Sequence, residues 1–343
     1  MSERGRAVLA AHGPTGLCQY YASGALYRLV EQVLGLVNTL RYRWAASDPI
    51  EVHLFTGHSF RLPSGDAGIG IELMSGIREP NATRYLASFL RNDDVILDIG
   101  ANIGYYVAVE RHLAPGAAIH AVEPVPANLA LLRQNAPPDV AVYPVAISDH
   151  IGTAPIYIPD HCNWATLNQQ HAGTLAGVHT EQVPVTTLDR FCTEHNLAPT
   201  FLRMDTEGSE VEILLGARSL IESDRPLRLM IELHAAARRP GEIEALMRYL
   251  LDAGFVIRAV VHEPNHDLGV PRSTFPWLWY DLLWSSIPGD DHAKLVQLMR
   301  WGFCPNVFLE RTSTTPRYRR GLAAGAPCGA QGCNLMGAKA DGS

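Results

Sequence analysis

The stretch Val95-Ile-Leu-Asp98-Ile-Gly100-Ala-Asn102-Ile-Gly104 constrains this chain more than any other. An apolar run ends in Asp98, a glycine turn follows, and a helix-compatible segment opens at Tyr105. That order predicts a strand whose C-terminal end feeds a tight loop, the position at which open α/β sheets bind nucleotides. Lacking a Cβ, Gly100 and Gly104 let the backbone turn sharply and let a ligand come close. A second apolar segment, Ala118 to Val122, ends at Glu123, a carboxylate suited to chelating ribose hydroxyls. The spacing departs from the dinucleotide G-x-G-x-x-G, because no third glycine follows. Asp98 would also oppose a pyrophosphate on the helix N-terminus, so the turn suits a cationic ligand better.

S-adenosylmethionine, with its adenosine, its ribose and a sulfonium-bearing amino acid, meets all three conditions. The region around the turn alternates strand and helix, which predicts a parallel sheet with helices on both faces. Strands are expected near 94–99, 118–123, 140–145, 199–204, 227–233 and 254–260, with a last one near 306–310. Helices are expected near 103–113, 125–135, 186–195, 207–221 and 241–252. Strand ends then place Asp98, Glu123, Asp205, Glu232 and His234 along one rim. Asp189 stands apart, because Thr187-Leu-Asp189 opens a helix and favours its dipole.

Six blocks in order resemble the FkbM-type family of S-adenosylmethionine-dependent methyltransferases. They are Asp98–Tyr106, Glu123-Pro124 with Asn128, Ala146–Asp149, Thr187–Asp189, Met204–Glu210 and Ile231–His234. The resemblance covers roughly residues 80 to 260. It implies a class I methyltransferase fold, Rossmann-like and doubly wound, with a mostly parallel seven-stranded sheet. It also implies that Asp98, Gly100, Asn102 and Gly104 surround the methionine part and that Glu123 holds the ribose. Ser148 and Asp149 are expected to border the adenine, with Asp205 completing the cofactor set. The acceptor is expected to be a hydroxyl on a small metabolite, sugar or glycolipid. N-methylation of an amine and a non-catalytic module that binds the cofactor for a partner remain open readings.

Methyl transfer from a sulfonium needs alignment and, for an alcohol, a base within hydrogen-bond reach. His234 is the first choice as base, since an ordinary histidine titrates at about 6.5. Asp205, Glu207 and Glu232 are expected to orient it, bind acceptor hydroxyls or coordinate a divalent cation; hard oxygen donors would favour magnesium or manganese. A metal is possible on this pattern but not predicted. His262 and His266 read as a solvated loop. Tyr85, Tyr105 and Trp164 are candidates to reach the acceptor, and the aromatics Trp277 to Trp284 for a lid or for packing.

The remaining organisation is read as a flexible 1–16, an extension of helix and short strands over 17–79, a catalytic domain over 80–311 with an insertion at 262–302, and a flexible 312–343. The helix from Gln19 to Trp44 carries Leu26, Leu29, Val30, Val33, Leu34, Val37 and Leu40 on one face, expected to pack on the domain or on a second subunit. Residues 50 to 73 are expected to form short strands. A formal net charge of -7 argues against a nucleic-acid surface. Six scattered cysteines, no signal-like start and no long apolar run lead to an expectation of a cytoplasmic protein.

Overall fold

The computed structural model describes residues 3–45, 49–63, 67–159, 164–175, 177–234, 241–261, 295 and 304–312. The chain opens with helix α1 (Glu3–Trp44), hairpin strands β1 (Ile50–His53) and β2 (Ser59–Leu62), and helices α2 (Ala67–Leu73) and α3 (Pro80–Phe89). The repeating unit then begins: β3 (Val95–Ile99), α4 (Tyr105–Leu113), β4 (Ala118–Val122), α5 (Pro126–Asn135) and β5 (Ala141–Tyr143). Next come β6 (Ala146–Ser148), β7 (Gly152–Ile158), α6 (Gln169–Ala172) and β8 (His179–Thr187). The second half holds α7 (Leu188–Glu194), β9 (Phe201–Met204), α8 (Glu210–Leu215), α9 (Arg218–Ile221), β10 (Leu227–Glu232), α10 (Glu242–Asp252), β11 (Val256–Val261) and β12 (Asn306–Arg311).

Seven strands form one sheet in the order β11-β12-β10-β9-β3-β4-β5. All neighbours run parallel except β12, which is antiparallel to both β10 and β11. Parallel strands covered on both faces need apolar residues throughout, and β3, β9 and β10 are buried nearly end to end. One face is closed by α7 to α10, whose Phe191, Leu214, Leu220 and Met247 pack on Leu97, Leu202 and Leu229. The other is closed by α2 to α5, with Leu73, Leu86, Val107 and Leu132 against Ile96, Ile119 and Phe308. Helix α10 shows why such segments choose their face. Ile243, Leu246, Met247 and Leu250 recur at helical spacing and are all buried.

All seven expected strands form, and the fold is the class I methyltransferase arrangement. Three local expectations are corrected. Residues 3–16 are helical rather than irregular, because Ala7, Leu9, Ala10 and Ala11 favour the helix, with a kink at Gly13 (φ 67°) before Pro14. Residues 67–73, expected as strand, form α2. The 207–221 helix is two short ones, broken at Gly216, where a Cβ would stand 2.1 Å from the Ser148 carbonyl oxygen. Residues 151–185, whose patterning suggests one or two short strands, hold β7 and most of β8, and with β6 these build a separate three-stranded sheet in the order β6-β8-β7. The face of α1 expected to pack on the domain or on a second subunit is exposed within this chain at Leu29, Val33, Val37 and Leu40. Asn38 and Tyr42 are the buried side, Tyr42 lying against Gly70 of α2. The insertion 262–302, with its aromatics and His262 and His266, lies outside the described residues apart from the buried Leu295. So does 313–343.

Candidate active site

The chain leaves β3 toward β4 on one side and returns as β9 on the other. The crevice between the carboxyl ends of these strands is the topological switch point. Gly100 (φ 81°) makes it possible, for a Cβ there would stand 2.0 Å from the Asp205 carbonyl oxygen. Gly104 (φ 95°) serves packing instead, since its missing Cβ would meet Leu132 of α5 at 2.9 Å.

A cavity of about 60 Å³ opens here, lined by Gly100, Asn102, Glu123, Asn128, Asp205 and Glu207 together with apolar Ile99, Val122, Ile147 and Leu167. Glu123 organises it. Its Oε2 accepts the Asn102 N–H at 2.8 Å and its Oε1 the Val125 N–H at 2.9 Å. Asn128 bonds the same carboxylate from α5, so it is a site residue and not a surface one. Burial, only partly offset by these donors, pushes the Glu123 carboxyl up to about 7. Over the cavity lies the segment around Thr166, whose hydroxyl donates to the Glu207 carbonyl at 2.8 Å. Asn168 Nδ2 donates to the Gly208 carbonyl at 3.3 Å beside it.

A smaller neighbouring cavity shares Gly100, Asn102, Asp205 and Glu207, and adds Arg78, Tyr105, Tyr106 and Arg203. The Tyr105 hydroxyl donates to the Arg78 carbonyl at 2.7 Å. Arg78 pairs with Glu72 and Glu79, each at 3.0 Å. Of the aromatics proposed for the acceptor, Tyr105 does line this space. Tyr85 packs on Phe308 with ring centroids 4.5 Å apart, and Trp164 lines neither cavity.

His234 closes the rim among carboxylates from three elements. Its Nδ1 lies 3.0 Å from Glu210 Oε1. Its Nε2 lies 3.3 Å from Glu207, 3.9 Å from Glu232 and 4.0 Å from Asp205. Burial opposes charge on the imidazole, but Glu207, Glu210 and Glu232 outweigh it and hold His234 well above the ordinary histidine value. Asp205 is pulled below the usual carboxylate range, despite burial, by Arg203, His234 and Arg78. Glu232 is driven well above it by burial and by Asp205 and Glu79. Of the three carboxylates expected to orient His234, Glu207 stands nearest, and Glu210, which was not among them, stands nearer still. Asp205, Glu207 and His234 each bring one donor atom within 4.8 Å of the others, a spacing that could admit a divalent cation. The same contacts are those of a protonated imidazole among carboxylates, and no ion is assigned there.

Two expectations for the cofactor set need correction. Asp98 is fully buried and faces the protein's own cation, Arg203, with Nη1 at 2.8 Å from Oδ1. The charge that a carboxylate in this turn requires is thus supplied from β9. Ser148 and Asp149 line a different groove, of about 560 Å³, with His150, Tyr157 and Glu242. Strand β6 pairs with β8 in the second sheet and carries them away, leaving Ala146 and Ile147 at the Glu123 cavity. Asp189 accepts the N–H groups of Ser219 and Leu220, a structural role. Arg203 and Glu210 escaped the reading of the sequence. The signal for Arg203 was one charge inside the apolar strand Phe-Leu-Arg-Met.

Residues 98–257 match the family model described as Methyltransferase FkbM domain. The 31-O-demethyl-FK506 methyltransferase FkbM of Streptomyces tacrolimicus is 29% identical over 189 residues, covering 46% of this chain and 72% of that protein. The 2-O-methyltransferase NoeI of Sinorhizobium fredii (strain NBRC 101917 / NGR234) is 29% identical over 174 residues, covering 45% and 72%. A solved methyltransferase FkbM from Methylobacillus flagellatus KT superposes with a TM-score of 0.36 at 22% identity, over 51% of this chain and only 41% of that one. No described helix is long and apolar enough to cross a membrane.

Proposed function

We propose that this chain, which belongs to the FkbM methyltransferase family, methylates a hydroxyl of a small or glycosidic metabolite with S-adenosylmethionine as donor. The observation that carries this reading is the junction of two features: a cavity built around Glu123, and the His234–Glu207 pair on the rim it shares with the Arg78–Tyr105 space.

The residues fit the donor. A carboxylate offers about four lone-pair sites, and backbone N–H groups occupy one on each Glu123 oxygen. The Asn128 side chain takes a third, which leaves one to accept a ribose hydroxyl, and Ile147 and Leu167 form apolar walls for a base. Asp205 and Glu207 give the far end a negative field suited to a sulfonium and an ammonium. The cavity of about 60 Å³ is smaller than the ~300 Å³ of a small-molecule pocket. S-adenosylmethionine supplies a methyl on an electron-poor sulfur, which needs no further activation. The protein's part is alignment and proton removal.

His234 Nε2 and Glu207 hold the proton-accepting position. The acceptor is expected on the Arg78 and Tyr105 side, where guanidinium and phenol favour a polyhydroxylated molecule. Both curated relatives carry names that specify methylation at oxygen, which favours a hydroxyl over an amine here. The experiment is isothermal titration of the purified chain with S-adenosylhomocysteine and, separately, NAD. Saturable binding of the first and none of the second is expected. Binding of NAD alone would overturn the assignment.

A further inference from the structure

Among the described residues, the groups within 4.0 Å of the His234 ring nitrogens are carboxylates, and they stand on different elements; the Cys304 thiol is also near enough to feel the ring's charge. Glu210 comes from α8, Asp205 and Glu207 from the loop after β9, and Glu232 from the end of β10. The two ring nitrogens meet unlike surroundings. Nε2 looks toward Glu207, Glu232 and Asp205, all of which are partly accessible. Nδ1 looks at Glu210, which is completely buried.

The Glu210 oxygen involved is saturated with donors. Oε1 receives the Gly208 N–H at 3.1 Å and the Thr206 hydroxyl at 3.3 Å, besides facing Nδ1 at 3.0 Å. An ionised carboxylate can only accept, so Nδ1 must carry the hydrogen. Which nitrogen of a histidine keeps its proton is set by the bond the other one makes. With Nδ1 committed to a buried acceptor, loss of the second proton leaves the lone pair on Nε2, toward Glu207, which lines both cavities.

We infer that Glu210 is a positioning residue: its buried carboxylate locks His234 in the Nδ1–H tautomer and turns the basic nitrogen, Nε2, toward the acceptor. This rests on the reading of His234 as the proton acceptor, but the tautomer itself can be observed without any acceptor. A base presenting N–H where a lone pair is needed would forfeit the roughly 10²–10⁴ that general-base catalysis supplies. The sequence places Glu210 three residues after Glu207, where it reads as one more acid opening a helix. Only the fold brings it under the ring.

The test is long-range ¹H–¹⁵N correlation NMR on uniformly ¹⁵N-labelled full chain in EDTA, at a pH that neutralises His234, with the signal assigned by its loss in His234→Gln. The expected wild-type spectrum shows Nδ1 protonated and Nε2 bare. Glu210→Gln should keep that tautomer, because Gly208 and Thr206 direct the amide carbonyl, and not its NH₂, to the same spot. Glu210→Ala should lose it in favour of Nε2–H. A neutral wild-type His234 protonated at Nε2 would overturn the inference, as would a folded Glu210→Ala that keeps Nδ1–H. Should Glu210→Ala fail to fold, the wild-type and Glu210→Gln tautomers still decide. Unaltered affinity for S-adenosylhomocysteine in Glu210→Gln is expected. Failure of the chain to bind that ligand at all would strike the methyl-transfer reading and leave the tautomer result standing.

Discussion

Arg203 Nη1 stands 2.8 Å from Asp98 Oδ1, joining β9 to β3 beneath the cofactor turn. The same guanidinium reaches Asp205 with Nη2 at 2.8 Å and lies 3.9 Å over the Tyr106 ring. Arg203 is almost wholly buried, so its removal would strand Asp98 and Asp205 in a low-dielectric interior. Breaking a buried pair from one side typically costs ~3–5 kcal/mol. Arg203→Met is therefore expected to lower unfolding free energy by about that amount, read by urea denaturation. A loss under ~1 kcal/mol would place the pair among those of little energetic consequence.

Behind the same strand, Glu110 of α4 is fully buried, and neither of its carboxylate oxygens has a hydrogen-bond partner among the described residues. Burial, with Asp98 adding to it, drives its carboxyl well above the usual range. A carboxyl whose folded value is raised favours the fold only while protonated. Its contribution is complete below its unfolded value and fades as pH rises toward the folded one. Glu110→Met should then stabilise the protein at neutral pH, by ~1–4 kcal/mol on the scale of buried charges replaced by apolar groups. The gain should shrink near pH 4, where the wild-type group is neutral in both states. Paired melts at the two pH values would show it, and a destabilised variant at neutral pH would mean the carboxyl has a partner.

The strand–turn–helix around Gly100 was legible in the sequence because local rules decide it. An apolar run, a glycine turn and a following helix admit one geometry, and all seven strands follow from patterning of the same kind. Ser148 and Asp149 were misplaced because pairing of β6 with β8 is a long-range choice that no local period reveals. Arg203 and Glu210 act through contacts 105 and 24 residues distant in sequence, at Asp98 and His234. Side chains satisfied across such separations leave only a faint mark, such as a charge inside an apolar strand.

Glu123 gives the cofactor cavity its own pH dependence. Its carboxyl sits at about 7 in the free protein, and ribose hydroxyls bind best to the ionised form. Affinity for S-adenosylhomocysteine should rise with pH, by up to tenfold per unit below that value, and level off above it. Calorimetry in two buffers of unlike ionisation enthalpy should detect proton release at pH 6 and little at pH 8. Glu123→Gln should bind at least tenfold more weakly at pH 8, a loss of ~1.5–3 kcal/mol for charged hydrogen bonds, and lose the pH dependence. A variant that binds like wild type would remove Glu123 from the ribose position.

His234 should make stability and turnover respond to alkali in opposite directions. Its folded value lies above the ordinary one, so the charged imidazole stabilises the fold. That contribution is complete below about pH 6.5 and is lost as pH rises through the folded value. The stability difference between wild type and His234→Gln should accordingly narrow from pH 6 to pH 10. Proton removal needs the neutral ring, so the methyl-transfer rate with an active acceptor should climb over the same interval, with its midpoint above the usual histidine range. Urea melts and initial rates on one set of buffers would test both arms. A rate that stays flat over that interval would remove His234 as the base. A stability difference that stays flat while the rate still climbs would mean His234 titrates no higher folded than unfolded, leaving its carboxylate surroundings without the electrostatic effect assigned to them.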